Sequence, residues 1–335
     1  MSRVTIAEIA GRAGVSVPTV SKVLNGRQGV ADTTRDRVLA LLEEHGYRRR
    51  GTDRRSRVGL IDFVIAGLDS SWAHQLLYGA EAEATRAGVG LVITSTQGRR
   101  AGNRHWIQHL ASRRTDGVVL VVSELMPGAH EQLARLNTPL VLIDPVGSAS
   151  PSIPTVAATN WAGGLAATEH LIGLGHRRIG IITGPEAQMC SRDRLDGYRT
   201  ALHRAGIPPA DELVRYGDFL VPGGRRGAAS LLALDDPPTA IFAGSDYTAH
   251  GVYLQARESG LTIPHDLSVV GFDDVDLCEW VAPTMTTVRQ PLADMARQAT
   301  QMVLDLERQE PRSPTRIEMS TTLIVRESTA PPRGR

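Results

Sequence analysis

The sequence of 335 residues contains few aromatic residues and only two cysteines. Aromatic residues make up 4% of the chain, so its core must be built mainly from aliphatic side chains. Cys190 and Cys278 are too few for a disulfide framework or a cysteine-rich zinc site, and we expect two free thiols in a reducing compartment. No apolar stretch reaches the about 18 residues that suggest a membrane-spanning helix. The N-terminus carries an early Glu8 and lacks the apolar core of a signal peptide, which predicts a cytoplasmic protein with no membrane partner.

Charge is unevenly distributed along a chain whose formal net charge is only +1. Residues 1–57 contain 12 Lys or Arg and 6 Asp or Glu, a net of +6. Of the 37 basic and 36 acidic residues in the whole chain, 25 and 30 remain for the rest, a net of −5. A basic head on a mildly acidic body predicts a module that binds a polyanion, joined to a part with another task.

The first fifty residues carry the pattern of three short helices. Thr5 and Glu8 have the spacing of a capping box, which starts a helix. Ser16 can cap a second helix, where Pro18 is tolerated because the first turn has no hydrogen bond to lose. Asp32 can cap a third. Two helices joined by a short turn and closed by a third are typical of a helix-turn-helix module that binds DNA.

The second helix is the one expected to read the DNA. Its apolar positions Val20 and Val23 face the small core, which turns the other side outward. Lys22 on that outer side could contact a guanine or a phosphate, or could be an ordinary solvated lysine.

An arginine-rich linker, residues 49–57, separates this head from the body. Six of the ten residues 48–57 are arginine. We expect these side chains to hold DNA electrostatically, while a flexible basic tether without defined contacts is the alternative.

The body alternates apolar runs with helical stretches, which predicts two doubly wound α/β halves. The runs that read as buried strands are 58–65, 90–94, 117–122 and 140–143 in the first half, and 178–183, 239–243 and 267–272 in the second. Parallel sheets bind ligands at the carboxyl ends of their strands. The polar residues and the one tryptophan that follow these runs are Asp69, Trp72, His74, Asp144, Asp246 and Asp273. Carboxylates there suit a ligand rich in hydroxyl groups, although each one could equally cap a helix.

Dense, correctly ordered motifs over nearly the whole chain resemble those of the lac repressor family. In the head they are Val4–Ala10, Ala13–Ser16, Thr19–Asn25, Thr34-Arg35 and Gly46-Tyr47. In the body they are Thr159–Gly163, Leu174–Ile179, Arg194–Tyr198, Ser268–Asp274 and Thr286–Pro291. The resemblance implies a helix-turn-helix head and a periplasmic-binding-protein-like body whose halves close like a hinge on a small molecule. It implies no cofactor, no metal and no catalytic residue. It also implies a homodimer that represses transcription at palindromic operator DNA.

The resemblance also sharpens the choice of residues. It implies that Arg194 clamps the effector, that Asp273 accepts its hydroxyl groups and that Phe219 stacks against it, while Ser245 stands where an asparagine is frequent. The predicted effector contacts are Asp69, Trp72, His74, Asp144, Asn160, Trp161, Arg194, Phe219, Ser245, Asp246, Asp273 and Gln290. The predicted DNA contacts are Thr5, Ser16, Val17, Pro18, Thr19, Ser21, Lys22, Asn25, Arg48, Arg49, Arg50, Arg54 and Arg55.

The expected domains follow from the same resemblance. They are the head (1–48), the linker (49–57), a first half (58–156 and 289–315) and a second half (157–288 and 316–335). The linker is several residues shorter than in that family and lacks the expected leucine, so we expect no apolar wedge in the minor groove.

The sequence offers little support for an enzyme. Neither a phosphate-binding loop nor a nucleophile elbow occurs, and Gly88-Val89-Gly90 precedes its strand, which argues against an enzyme. His105 and His109 lack the glutamate of a hydrolytic zinc motif. A repressor of the same family that senses a purine or another small molecule is the closer alternative to a sugar sensor. Among sugars, residues 159–164 resemble regulators of plant-polysaccharide use, which favours a xylose-related effector.

Overall fold

The computed structural model describes residues 5–24, 30–44, 58–96, 105–113, 115–121, 138–145, 153–307 and 316–333. The chain forms two compact units, Met1–Val58 and Gly59–Arg335. Among the helices in these ranges, none is both long and apolar enough to cross a membrane.

The head unit contains the three predicted helices. They are α1 (Ile6–Ala13), α2 (Val17–Leu24) and α3 (Asp32–Glu44). The capping box at the start of α1 is formed: Glu8 N–H donates to Thr5 Oγ1 (3.3 Å) and Thr5 N–H donates to Glu8 Oε2 (2.6 Å). Gly14 ends α1 in the left-handed region (φ 63°), which glycine adopts without steric cost.

A small aliphatic core holds the three head helices together. Ile9 of α1, Val20 and Val23 of α2, and Val38 and Leu42 of α3 are buried in one cluster. Because the apolar side of α2 faces this cluster, its other side is exposed.

The body unit consists of two α/β halves. Its strands are β1 (Leu60–Ile65), β2 (Gly90–Ser95), β3 (Gly117–Val121), β4 (Leu140–Ile143), β5 (Thr155–Ala158), β6 (Ile179–Thr183), β7 (Val214–Tyr216), β8 (Ala240–Ala243), β9 (Ser268–Asp273), β10 (Thr286–Arg289), β11 (Arg316–Met319) and β12 (Thr322–Ile324). Its helices are α4 (Ser71–Arg86), α5 (His105–Arg113), α6 (Asn160–Gly173), α7 (Met189–Arg204), the 3₁₀ turn Asp211–Leu213, α8 (Val221–Leu232), α9 (Asp246–Glu258), α10 (Leu277–Trp280) and α11 (Leu292–Glu307).

Each half contains a six-stranded sheet. The strand orders are β11-β5-β4-β3-β1-β2 in the first and β12-β10-β9-β8-β6-β7 in the second. All described pairs are parallel except β10 with β12. Parallel strands place all their carboxyl ends at one edge of a sheet, so the residues after β1, β4, β8 and β9 lie at the edges where a ligand is expected.

Three connections between described strands pass from one sheet to the other. They follow β5, β10 and β11. At the first and third, Thr159 N–H donates to the Met319 carbonyl (2.9 Å) and Thr321 N–H donates to Thr159 Oγ1 (2.9 Å). These bonds hold two of the crossing segments side by side. Helix α11 returns to pack on the first sheet, as the sequence predicts, and Met295 and Val303 are buried against it.

Two predicted boundaries between the halves are wrong. Residues 316–319 are expected in the second half but form β11, which pairs with β5 in the first sheet, and β5 itself extends past the expected boundary to Ala158. The reason is that β5 would otherwise leave an unpaired edge, whose backbone groups β11 satisfies. Only β12 returns to the second sheet, where it pairs with β10.

Candidate functional site

The outer side of α2 presents the residues predicted to contact DNA. Val17, Pro18 and Lys22 are exposed, and Thr19 and Ser21 are half-buried. Ser16 lies at the start of the helix, where its Oγ accepts from Thr19 N–H (3.4 Å) and lies 2.9 Å from Thr19 Oγ1. The hydroxyl groups of Thr5 and Ser16 therefore cap helices. Asn25 and the predicted linker contacts Arg48, Arg49, Arg50, Arg54 and Arg55 lie outside the described residues.

A mainly polar cluster of buried and half-buried side chains lies where the two halves join, and we call it the cleft cluster. Its members are Asp144, Asn160, Cys190, Arg194, Phe219, Asp273 and Gln290. Asp144 follows β4 and Asp273 ends β9, while Asn160 begins α6 at the first crossing between the sheets. Parallel topology thus brings together residues that are far apart in sequence.

Arg194 is the centre of the cleft cluster and is 3% exposed. Its Nε donates to Asn160 Oδ1 (2.9 Å), and its Nη1 donates to the Gly244 carbonyl (2.5 Å). The guanidinium lies over the Phe272 ring, 3.7 Å from its centroid, and 5.4 Å from that of Phe219. These contacts immobilise the side chain, so its position does not have to be set when a ligand binds.

Asn160 links Arg194 to the first half of the body. While its Oδ1 accepts from Arg194, its Nδ2 donates to the Ala158 carbonyl (3.2 Å) and approaches Asp144 Oδ1 (3.5 Å). An amide suits this place because it can accept from a cation and donate to a carboxylate at the same time.

Asp273 and Gln290 form the second polar pair of the cleft cluster. Gln290 Nε2 donates to Asp273 Oδ1 (2.6 Å), and both side chains are almost completely buried. Gln290 Oε1 has no hydrogen-bond partner among the described residues. A buried acceptor of this kind is costly to leave unpaired, so it points to a donor that a ligand or water would supply.

Burial dominates the electrostatics of the cluster. It raises the pKa of Asp273 well above its usual value; Arg194 opposes this, and Asp246 and Asp144 reinforce it. It also raises the pKa of Asp144, again against the effect of Arg194. Burial raises the pKa of the Cys190 thiol to about 12, so this side chain is a neutral thiol.

Backbone strain is concentrated in the cleft cluster. In the part of the chain that the structure describes, the non-glycine residues with positive φ are Asp144 (43°), Phe219 (61°), Asp273 (120°) and Asp274 (60°). Three of the four are predicted effector contacts. Such conformations cost free energy and persist mainly where the surroundings impose them, commonly at binding sites.

Several predicted effector contacts lie outside the cluster. Asp69 and His74 are exposed, Trp72 packs against the core of the first half, and Trp161 is 40% exposed with the Arg204 guanidinium 5.9 Å from its ring. The Trp161 ring therefore lies beside Arg204 in the last turn of α7.

Ser245 and Asp246 are engaged inside the second half. Ser245 caps α9, accepting from Thr248 N–H (3.1 Å). Asp246 is completely buried, and its two oxygens accept from Thr287 Oγ1 (2.6 Å) and Val275 N–H (2.9 Å). Burial raises the pKa of Asp246 to about 6. We leave Ser245 and Asp246 out of the effector site proposed below, because their polar atoms already have partners.

Cys190 is a site residue that sequence reasoning missed. The sequence predicts only a free thiol, yet the charges of Arg194, Asp144 and Asp273 act on the pKa of the Cys190 thiol. The available signal was its position four residues before Arg194, which places both on one side of a helix.

A separate cavity of about 270 Å³ lies beside the cleft cluster. Its lining residues are Gln75, Asp274, Val275, Asp276, Glu279, Arg289, Gln290 and Arg326. Most of its charged groups already form ion pairs, since Asp274 contacts both Arg289 (2.6 Å) and Arg326 (2.8 Å). Only Gln290 belongs to both the cavity and the cleft cluster.

A helix-turn-helix head joined to a two-sheet body with a polar site between its halves defines a ligand-binding transcriptional regulator. Residues 5–50 match the model of bacterial regulatory proteins of the lacI family, and residues 168–329 match that of the periplasmic binding protein-like domain. The HTH-type transcriptional repressor CytR of Escherichia coli (strain K12) is 32% identical over 329 residues, 97% of this chain and 96% of the relative.

Solved structures agree with these matches. The transcriptional regulator CelR in complex with cellobiose is 32% identical, with a TM-score of 0.77 over 97% of this chain and all of that one. The lac repressor dimer bound to operator and an anti-inducer is 25% identical, with a TM-score of 0.73 over 98% of this chain and all of that one. The chain belongs to the lacI family of bacterial regulatory proteins. It is a transcriptional repressor with an effector-binding body, and not an enzyme.

Proposed function

We propose that this repressor binds palindromic operator DNA as a homodimer in the cytoplasm and that its effector is a sugar, with a xylose-related or other plant-polysaccharide sugar preferred. The observation that carries the proposal is the buried Arg194, which donates to Asn160, together with the carboxylates of Asp144, which Asn160 approaches, and Asp273, which accepts from Gln290. Carboxylates accept from sugar hydroxyl groups, a guanidinium donates to them, and the Phe219 ring can lie against the C–H face of a sugar. The sugar in the CelR complex supports the same class of ligand.

Ligand contacts would come from both halves of the body. Asp144 belongs to the first half, while Arg194 and Asp273 belong to the second. A molecule held by all three favours the closed arrangement of the halves. In a dimer, closure would change the spacing of the DNA-binding heads, so effector and operator affinities would be coupled reciprocally.

A thermal-shift screen of the full chain tests the sugar assignment. We expect xylose, a xylose-containing disaccharide, cellobiose or ribose to raise the melting temperature, because a ligand that binds only the folded state stabilises it. A response to purines alone would support the alternative, a repressor of the same family that senses a purine. A flat response to every sugar would count against the proposed effector class.

Operator binding should depend strongly on salt, because contacts to phosphates release counterions. Lys22 is exposed on α2, and we expect Lys22→Ala to weaken operator binding by about tenfold if it reads a base edge. The measurement is a titration of palindromic duplexes at several salt concentrations. Arg12→Ala, at an exposed position on α1, is the matched control. Unchanged affinity in Lys22→Ala would assign Lys22 to the solvated surface.

Sugar affinity should rise with pH. The pKa values of Asp144 and Asp273 are raised by burial, and a sugar whose hydroxyl groups donate to these carboxylates binds their ionised forms. Affinity should therefore increase as the pH rises through the raised pKa values, by up to about tenfold per pH unit for each proton released, and then level off. Calorimetric titrations between about pH 5 and about pH 8 measure this. Asp196→Asn, at an exposed position on α7, should keep the same profile. Stronger binding at acidic pH would contradict the proposed hydroxyl contacts.

A further inference from the structure

The two halves of the body also touch at a place separate from the crossings, which we call the inter-half seam. It joins Ser71, at the start of α4 in the first half, to Tyr247, Val275 and Leu277 of the second half. The Ser71 N–H donates to the Tyr247 hydroxyl oxygen at 2.9 Å. A first-turn N–H has no partner within its own helix, so the tyrosine oxygen satisfies a group that would otherwise need water.

Strand order separates the seam from the first crossing, whereas Gln75 of α4 and Val275 line the same cavity as Arg289 and Gln290 of the second crossing. Ser71 follows β1, which is separated from β5 by β4 and β3. Three strand spacings of about 4.8 Å therefore lie between Ser71's strand and the strand that leads into the first crossing. The seam therefore adds contacts between the halves beyond those of the first crossing, and these contacts resist opening of the halves.

The apolar part of the seam works in the same direction. Val275 is 1% exposed and lies in the hydrophobic core of the first half, although its chain segment belongs to the second. Tyr247 and Leu277 pack against the same core. Separation of the halves would return these side chains to water, which is unfavourable.

Asp246 connects the two segments of the second half that contribute to the seam. Its carboxylate accepts from Val275 N–H (2.9 Å), and it precedes Tyr247 directly in α9. The hydroxyl contact and the apolar contact are thereby held together, which explains why a carboxylate stands at this buried position.

We infer that Tyr247 is a positioning residue that latches the two halves in the closed arrangement. Opening the cleft breaks the Ser71–Tyr247 hydrogen bond and withdraws Val275 and Leu277 from the first half. Tyr247 thus contributes to effector affinity through closure, without touching the effector. This last consequence rests on the proposed function; the latch itself does not.

The rate at which Cys190 reacts with a maleimide tests the latch in the full-length protein without any effector. Cys190 lies in the cleft cluster, whereas the only other cysteine, Cys278, is completely buried. Cys190 is only half-buried in this structure and opening of the cleft would expose it further, so the change in rate between variants reports the change in the open population. We expect Tyr247→Phe, which keeps the ring and removes the hydroxyl, to speed modification of Cys190 about 2- to 10-fold. Peptide mass spectrometry assigns the modified cysteine.

Tyr253→Phe is the matched control. The Tyr253 hydroxyl donates to the Pro283 carbonyl (3.1 Å), so this variant loses a similar bond within the second half only. It should modify Cys190 at the wild-type rate. Leu277→Ala, which shortens the apolar contact, should speed modification as Tyr247→Phe does. A wild-type rate in Tyr247→Phe, or an equal acceleration in Tyr253→Phe, would overturn the latch.

Cellobiose serves as the probe for the consequence on affinity. A ligand that requires the closed arrangement loses affinity in proportion to the fall in the closed fraction, so Tyr247→Phe should bind cellobiose more weakly by the ratio of the closed fractions of wild type and variant, while Tyr253→Phe binds it normally. If the wild type and a broader sugar set show no binding, the sugar assignment fails, whereas the labelling rates still decide the latch. Weaker binding of a sugar by Tyr247→Phe without any acceleration of the Cys190 rate would overturn the link between closure and affinity.

Discussion

Replacement of Arg194 with alanine should strongly weaken the response to effector. The guanidinium opposes the raised pKa values of Asp144 and Asp273, and its loss would leave two buried carboxylates without their counter-charge. A hydrogen bond to a charged group contributes about 1.5–3 kcal/mol, so loss of the guanidinium should lower effector affinity by about 10- to 100-fold. Arg194→Lys should not rescue binding, because one ammonium group cannot reach both Asn160 and the Gly244 carbonyl with the geometry of the planar fork.

Arg192→Ala is the control for this prediction. Arg192 is an exposed arginine on the same helix, so the change removes the same charge and side-chain type outside the cluster. Calorimetry measures effector binding, and an operator titration in the absence of effector shows whether the head still works. A loss below about tenfold in Arg194→Ala would be inconsistent with its central place in the cluster.

Replacement of Gly164 with alanine should destabilise the body by about 2–4 kcal/mol. Gly164 lies on α6 where it meets α7, and an added Cβ would lie 2.3 Å from the Arg194 carbonyl oxygen and 2.9 Å from the Arg194 Cα. Backbone atoms cannot move aside as a flexible side chain does, so α7 would be displaced. Because α7 carries Arg194 and Cys190, effector binding should weaken together with stability.

Gly173→Ala provides the comparison on the same helix. Gly173 ends α6 and is exposed, and an added Cβ would meet no atom within 4 Å. We expect unchanged stability or a gain of up to about 1 kcal/mol from the better helix propensity of alanine. Urea unfolding of the two variants measures the difference. If Gly164→Ala unfolded within about 0.5 kcal/mol of the wild type, the close approach of the two helices would not constrain this position.

Local patterns predicted the three helices of the head and the strands β1–β4, β6, β8 and β9 of the body, but not β5, β7, β10 or β11. The Thr5–Glu8 spacing and Gly14 place the ends of α1 without reference to other parts of the chain. The apolar runs of the body likewise identify buried parallel strands, because a strand covered on both faces must be apolar along its whole length. The rule that ligands bind at strand ends selected Asp144 and Asp273, both of which lie in the cleft cluster.

Residue types alone could not tell a ligand contact from a structural one. Asp246 and Asp273 follow similar apolar strands, yet Asp246 satisfies Val275 and Thr287 while Asp273 meets Gln290 and the charge of Arg194. The sequence carries no mark of this difference, since it depends on which distant segments pack against each carboxylate.

The sequence by itself determined a helix-turn-helix head, two α/β halves and membership of a repressor family, because caps, apolar periodicity and family motifs are local properties of the chain. Only the tertiary structure decided which side chains share the cleft, that β11 pairs in the first sheet, and that Tyr247 reaches Ser71 across the halves. These features join residues between 16 and 176 positions apart, and such contacts follow from the packing of sheets and crossings rather than from neighbouring residues.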